Sequence, residues 1–245
     1  MALKFFKRSL LVASSLSIFA ASSFATIVEI QTSQGNVEVN LFDNATPKTV
    51  ANFLSYVNDG SYNTTVIHRS VKGFIVQGGG FTYDGAKLVK TDTKAAVVNE
   101  PVYSNVKGTI AMAKLGSDAN SATNQWFFNM ADNSANLDFQ NSGFTVFGQV
   151  VSGFDVLEKI QGLTHCGETP LDNFTTAQCS TVAGFENFVS ITNVDIKDAT
   201  VDTAAGLNPV KTKRTEPTTG DSGGGSVGII ALLGTAFIAF RRRYS

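Results

Sequence analysis

The sequence predicts a mainly-β fold: a closed eight-stranded antiparallel β-barrel capped by two α-helices. Three observations carry the prediction. Short runs rich in Val, Ile, Phe and Thr recur between Gly, Asn and Asp turn signals; only two stretches have helical spacing; and strands do not alternate with helices in the rhythm of a parallel sheet.

In order, Ile27 to Gln31 and Val37 to Phe42 alternate apolar and polar residues around Ser33-Gln34-Gly35-Asn36, which reads as a hairpin. Thr46-Pro47 then offers an N-cap and a first-turn proline. Val50, Phe53, Leu54 and Val57 follow at i, i+3, i+4 and i+7, and Gly60 stands where the helix should stop. This helix is expected to cover one open end of the sheet. Val66 to Gly80 reads as two short strands broken at Lys72-Gly73, and 81–106 as a long loop whose composition says little. Gly108 to Ala113, Gln125 to Met130 and Phe144 to Val150 are further strands. The second helix has Phe154, Leu157 and Ile160 on one face and stops at Gly162, and Phe188 to Ile196 alternates as the closing strand.

Both ends of the 245-residue chain read as processing segments. Residues 1–25 have a basic start, an apolar middle and the small-x-small pattern Ser23-Phe24-Ala25, so a signal peptide is expected, with the mature chain starting at Thr26. Residues 26–198 form one domain, 199–226 a flexible linker with a Gly-rich spacer, and 227–245 a hydrophobic helix followed by Arg241-Arg242-Arg243. The apolar run Val227 to Phe240 would make a helix of roughly 21 Å, short of the roughly 30 Å hydrocarbon core, and could still insert with its arginines snorkelling. The order spacer, helix, basic cluster resembles the bacterial GlyGly-CTERM sorting tail, which in that family a rhomboid-like protease cuts near the glycines. A plain membrane anchor is the other reading. Either way the chain is expected to be exported, to the periplasm or to a membrane or cell-surface address.

The domain carries 10 Lys and Arg against 17 Asp and Glu, a net charge of −7. An acidic body without a basic patch excludes nucleic acid as the expected partner. Cys166 and Cys179 are the only cysteines. In an oxidising compartment a disulfide is expected, and a metal site with His165 is the weaker alternative because its ligand shell stays incomplete.

Chemistry concentrates between Val66 and Gly80. Arg69, Phe74 and Gln77 fall on strand-like segments that a turn brings together, so a fixed cation, an apolar floor and an amide could share one surface. The plainer reading is a buried strand pair with one salt-bridged arginine. Gly78-Gly79-Gly80 has no Gly-Lys-Ser/Thr or helix signal after it and reads as a close-packed turn, not a phosphate loop.

Several spaced motifs agree with one family. Pro47-Lys-Thr-Val-Ala-Asn-Phe53, His68-Arg69, Gly73-Phe74, Gln77-Gly-Gly-Gly80, Gly108-Thr-Ile-Ala-Met-Ala113, Gln125-Trp-Phe127, Leu137-Asp138 and Val146-Phe-Gly148 follow in order from Ile27 to Asp198. In these the chain resembles the cyclophilin-type peptidyl-prolyl isomerases, and among them the exported bacterial members. The resemblance implies an eight-stranded barrel with two capping helices and an outer groove that binds proline-containing polypeptides, working as a monomer without cofactor or metal. It places the catalytic arginine at Arg69 and the proline-ring pocket at Phe74, Ile75, Phe127 and Leu137. Gln77 and Gln125 become the groove amides, His68 a groove-lining histidine, and Phe144 stands where a groove histidine is usual. Other departures are Ile67, Lys72, Ile75 and Trp126 in place of the family's Phe, Pro, Met and Phe, and Asn136 in place of a groove tryptophan.

The implied reaction suits these residues. Rotation about an X-Pro bond loses amide resonance but breaks no bond between heavy atoms, so no nucleophile is needed. What helps is a permanent donor for the prolyl nitrogen as its lone pair leaves conjugation. A proline-peptide-binding holdase that uses the same groove without turnover is the rival reading, and a structural, surface-anchored domain is a third. His68 as a general base has no matched nucleophile, and Trp126 is expected in the core.

Overall fold

The computed structural model describes residues 26–199, 204 and 206–213; the segments read as leader and C-terminal apolar helix lie outside them. Hairpin β1 (Ile27–Thr32) and β2 (Gly35–Leu41) leads into α1 (Pro47–Asn58), then β3 (Arg69–Val71) and β4 (Ile75–Gly78). A small side hairpin, β5 (Phe81–Tyr83) and β6 (Leu88–Lys90), lies inside the stretch expected to be loop. After β7 (Thr109–Met112) and β8 (Trp126–Asn129) come a one-turn helix α2 (Ser134–Leu137), β9 (Val146–Ser152) and α3 (Phe154–Gly162). A second side hairpin, β10 (Thr164–Cys166) and β11 (Thr169–Leu171), precedes β12 (Ile191–Asp198).

Eight strands form one antiparallel sheet in the order β12-β1-β2-β9-β7-β8-β4-β3. The sheet curls into a half-barrel, and the described strands do not close it into the barrel expected. Its end strands β3 and β12 share no ladder, and the seam is spanned by bonds between flanking backbone. The amides of Thr64 and Ile67 donate to the carbonyls of Ile191 and Val189 at 2.8 Å, and that of Ile191 to Thr65 at 2.7 Å. β3 has only three residues, and Thr64, in the segment leading to it, takes a left-handed φ of 65°, so the chain meets the seam through a bend and the isolated bridge Val66–Ser190, with no ladder.

Pleating sorts the apolar residues into two layers. On β8, Trp126 and Phe128 face the inner core with Val28, Ile30, Phe53 and Phe147, whereas Phe127 faces a second cluster on the outer side with Ile75, Ala111, Leu137, Phe144 and Val146. Trp126 is therefore core, as expected. α1 buries Val50, Phe53 and Val57, with Tyr56 beside them, and α3 buries Leu157 and Ile160. Thr46, read as the N-cap of α1, makes no side-chain cap bond; its hydroxyl donates to the Phe42 carbonyl. Glu100 takes that role from a distant loop, accepting from the Thr49 amide at 2.9 Å and the Thr49 hydroxyl at 2.8 Å. A carboxylate thus meets both the unpaired amides and the positive end of the helix.

Candidate active site

The outer cluster meets a polar row set by strand register. Arg69 on β3 faces Gln77 on β4, Gln77 faces Phe127 on β8, and Phe127 faces Ala111 on β7. Directly opposed residues of antiparallel strands share a face, so a cation, an amide and an aromatic floor line up across four strands. Arg69 Nη1 donates to Gln77 Oε1 at 3.4 Å, and Gln77 Nε2 donates to Gln125 Oε1 at 3.0 Å. Gln125 immediately precedes β8 and lies over Gly80, where any Cβ would overlap its side chain. Gly79 beside it has φ of 84°, a conformation that favours glycine.

The apolar end is built by β4, β8 and the chain after α2. Ile75, Phe127, Leu137 and Phe144 are all buried, Phe74 packs against them, and the Phe127 and Phe144 rings meet edge-on with centroids 5.8 Å apart. A buried polar network backs this wall. Asp138 Oδ1 accepts from the Asn105 amide at 2.8 Å and from its Nδ2 at 2.9 Å, and Asn133 donates to Asn129 Oδ1 at 2.8 Å and to the Phe74 carbonyl at 2.9 Å. Such a satisfied network holds the loops that carry Leu137 and Phe74 in one arrangement.

Two residues of the site were not singled out in the sequence. Lys114 buries its ammonium, which donates to the carbonyls of Asn141 at 2.7 Å and Gly143 at 2.6 Å and lies 5.0 Å from the centre of the Phe144 ring. It pins the turn before Phe144. Glu168, at the tip of the β10–β11 hairpin, accepts from Arg69 Nε at 2.5 Å and from Nη2 at 3.4 Å. Neither has a periodic signal, because each acts through contacts tens of residues away. Cys166 and Cys179 are joined in a disulfide with Cα atoms 5.3 Å apart.

His68 packs its ring against Phe81, centroids 4.5 Å apart. Desolvation pushes its pKa down to about 4, the Arg69 charge adds to this, and contacts with the Val66 backbone and the Gln125 side chain oppose it. Its imidazole is therefore uncharged at neutral pH. In the unfolded chain the pKa returns to about 6.5, so between pH 6.5 and 4 the unfolded state binds more protons and stability falls as pH falls. Up to about 3 kcal/mol is lost across that window, at 1.36 kcal/mol per unit. Denaturant midpoints at pH 7 and pH 4.5 should differ less in His68→Gln than in the wild type.

A family model described as cyclophilin type peptidyl-prolyl cis-trans isomerase/CLD matches residues 27–181. Curated relatives agree. The chain is 40% identical over 157 residues to a peptidyl-prolyl cis-trans isomerase of Acinetobacter baylyi, covering 63% of this chain and 81% of that protein. It is 44% identical over 151 residues to isomerase A of Dickeya dadantii (58% and 74%) and 40% identical over 143 residues to isomerase B of Escherichia coli (56% and 85%). In fold it matches the crystal structure of a Cryptosporidium parvum cyclophilin type isomerase determined in the presence of the dipeptide Ala-Pro. That match has a TM-score of 0.53 and 23% identity, and covers 70% of this chain and 99% of that one. The chain belongs to the cyclophilin-type peptidyl-prolyl cis-trans isomerases.

Proposed function

We propose that the groove isomerises X-Pro peptide bonds of polypeptide substrates, with Arg69 acting on the prolyl nitrogen. The observation that carries this reading is the row Arg69, Gln77, Phe127 across neighbouring strands, which puts donor, amide and apolar floor on one face. The barrier to rotation is about 18–20 kcal/mol. A guanidinium stays protonated throughout, so it can donate to the nitrogen once the lone pair leaves conjugation, in a site partly screened from water. Phe74, Ile75, Phe127, Leu137 and Phe144 hold the proline ring while Gln77 and Gln125 fix the adjoining backbone, so the flanking chain turns against a held end. A million-fold gain needs roughly 8 kcal/mol, within reach of one such contact combined with positioning. A protease-coupled assay on a proline-containing peptide should show a rate rising linearly with enzyme. A rate equal to background would overturn turnover and leave a peptide-binding holdase.

The same reading has the isomerase working outside the cytoplasm on slow prolyl steps of exported proteins, steps that take tens to hundreds of seconds unaided. Support comes from the Cys166–Cys179 disulfide, a bond that persists in oxidising compartments, and from the leader-like residues 1–25. Retention through the C-terminal helix, or its removal by a rhomboid-like protease, belongs to this reading and rests on the order of segments after residue 213. Terminal sequencing of the mature chain, expected to start at Thr26, checks the export step; an intact Met1 would contradict it.

A further inference from the structure

The ion pair on Arg69 comes from a segment outside the main sheet. In the β10–β11 hairpin Cys166 faces Thr169, with Gly167 (φ 67°) and Glu168 between them. Two bonds fasten that tip along β3: the Ser70 amide donates to the Glu168 carbonyl at 2.6 Å, and the Thr169 hydroxyl donates to the His68 carbonyl at 3.1 Å. On its other side the hairpin is tied by the disulfide from Cys166 to Cys179, which lies in the 3₁₀ turn Thr176–Ser180. Apart from Pro170 and Leu171 the hairpin buries little, so covalent and polar ties hold it.

The consequence falls on the guanidinium. Glu168 engages Nε and Nη2 while Gln77 engages Nη1, and contacts on these three nitrogens set the plane of the fork. The Arg69 side chain is 11% exposed and that of Glu168 34% exposed, so the carboxylate shields one flank of the cation from water. An arginine that must meet a transient lone pair gains from having its rotamers fixed before substrate arrives. The row Arg69–Gln77–Phe127 alone leaves the long Arg69 stem to find that orientation without the second contact.

We propose that Glu168 is a positioning residue for Arg69 and that the Cys166–Cys179 disulfide is what holds Glu168 in place, so that reducing the disulfide lowers the isomerase rate. The inference rests on the reading of Arg69 as the group that acts on the prolyl nitrogen. Its test is a cycle on the full oxidised chain: wild type, Glu168→Ala, Cys166→Ser with Cys179→Ser, and all three substitutions together, with Arg69→Ala as reference. Glu168→Ala should lower kcat/KM about tenfold, with most of the loss in kcat, and should shift the Arg69 Nε–H resonance in nitrogen-proton NMR spectra. Glu168→Asp should recover part of the rate. The cysteine substitutions should lower kcat/KM in the wild-type background and add nothing in the Glu168→Ala background. Glu168→Gln, which keeps the shape of the tip, serves where the alanine loosens the hairpin and should give a smaller loss with the same resonance shift. Glu168→Ala at or above the wild-type rate, with Arg69→Ala strongly slowed, overturns the inference and spares the role of Arg69. Full activity of Arg69→Ala overturns that role itself. A cysteine effect of equal size in both backgrounds overturns the link between disulfide and Glu168.

Discussion

Arg69→Ala should lower kcat/KM about 100- to 1000-fold while leaving the thermal midpoint nearly unchanged. Removing one preorganised donor aimed at developing charge costs on the order of 10²–10³ in rate in well-studied enzymes. On the proposed mechanism the donor meets a lone pair that is available only when the amide is twisted, so the loss should fall on kcat more than on KM. Stability should change little. The pair with Glu168 is partly exposed, the carboxylate can rehydrate when its partner is removed, and such pairs contribute about 1 kcal/mol or less. Arg69→Lys is not a conservative control. An ammonium keeps the charge but cannot engage Glu168 and Gln77 at once while also facing the substrate, so the lysine variant should remain at least tenfold slow. Measuring kcat and KM separately at low temperature, with thermal melts on the same samples, checks each part. An unchanged rate would remove Arg69 from the mechanism.

Trp126→Ala and Phe127→Ala should separate stability from function at adjacent positions. Trp126 is fully buried in the inner layer, with ring centroids 6.3 Å from Tyr62 and 5.3 Å from Phe128. Truncating it costs about 3–5 kcal/mol through lost burial and the remaining cavity. At about 2–4 °C per kcal/mol for a domain of this size, the midpoint should drop by roughly 6–20 °C. The rate per folded molecule should stay within a few-fold of the wild type. Phe127 points the other way, onto the outer cluster. Its truncation also destabilises, but it removes the floor proposed to hold the proline ring, so KM should rise and kcat/KM should fall about tenfold or more at temperatures where the protein is fully folded. Equal rate losses in the two variants would mean that the two faces of β8 do not divide stability from substrate binding.

Much of the architecture was legible because local chemistry and the global fold agree. The break at Lys72-Gly73 is where β3 ends and β4 begins after a turn through Gly73 at φ 68°, and the hairpin at 33–36 and the faces of α1 and α3 follow the apolar spacing. Of the residues expected to line the pocket, Ile75 and Phe127 share one cluster because alternate positions of the paired strands β4 and β8 share a face, while Phe74 and Leu137 reach it from a turn and from α2, as does Phe144, expected in the groove, from the chain before β9. What escaped sequence reading depends on partners distant in the chain. Glu100 replaces Thr46 at the helix start from 51 residues away, and Glu168 reaches Arg69 across 99 residues. Helix α2 has four residues, too few to show a period, and the β5–β6 hairpin was hidden in a stretch read as loop. The seam between β3 and β12 was likewise unreadable, since strand content counts strands and says nothing of how the last meets the first.

The pairing of β1 with β12 has a consequence for how the molecule is made. Ile27 opposes Asp198, so the first strand to leave the ribosome finds one of its two neighbours only after about 170 further residues. At about 5–20 residues per second that interval is roughly 10–35 s, during which the hairpin β1–β2 carries an unpaired edge. An incomplete chain therefore cannot finish the sheet however long it waits, and ordering its longest-range contact makes the final step slow relative to local hairpins. The topology thus keeps the β1 edge of the sheet open until β12 has been made.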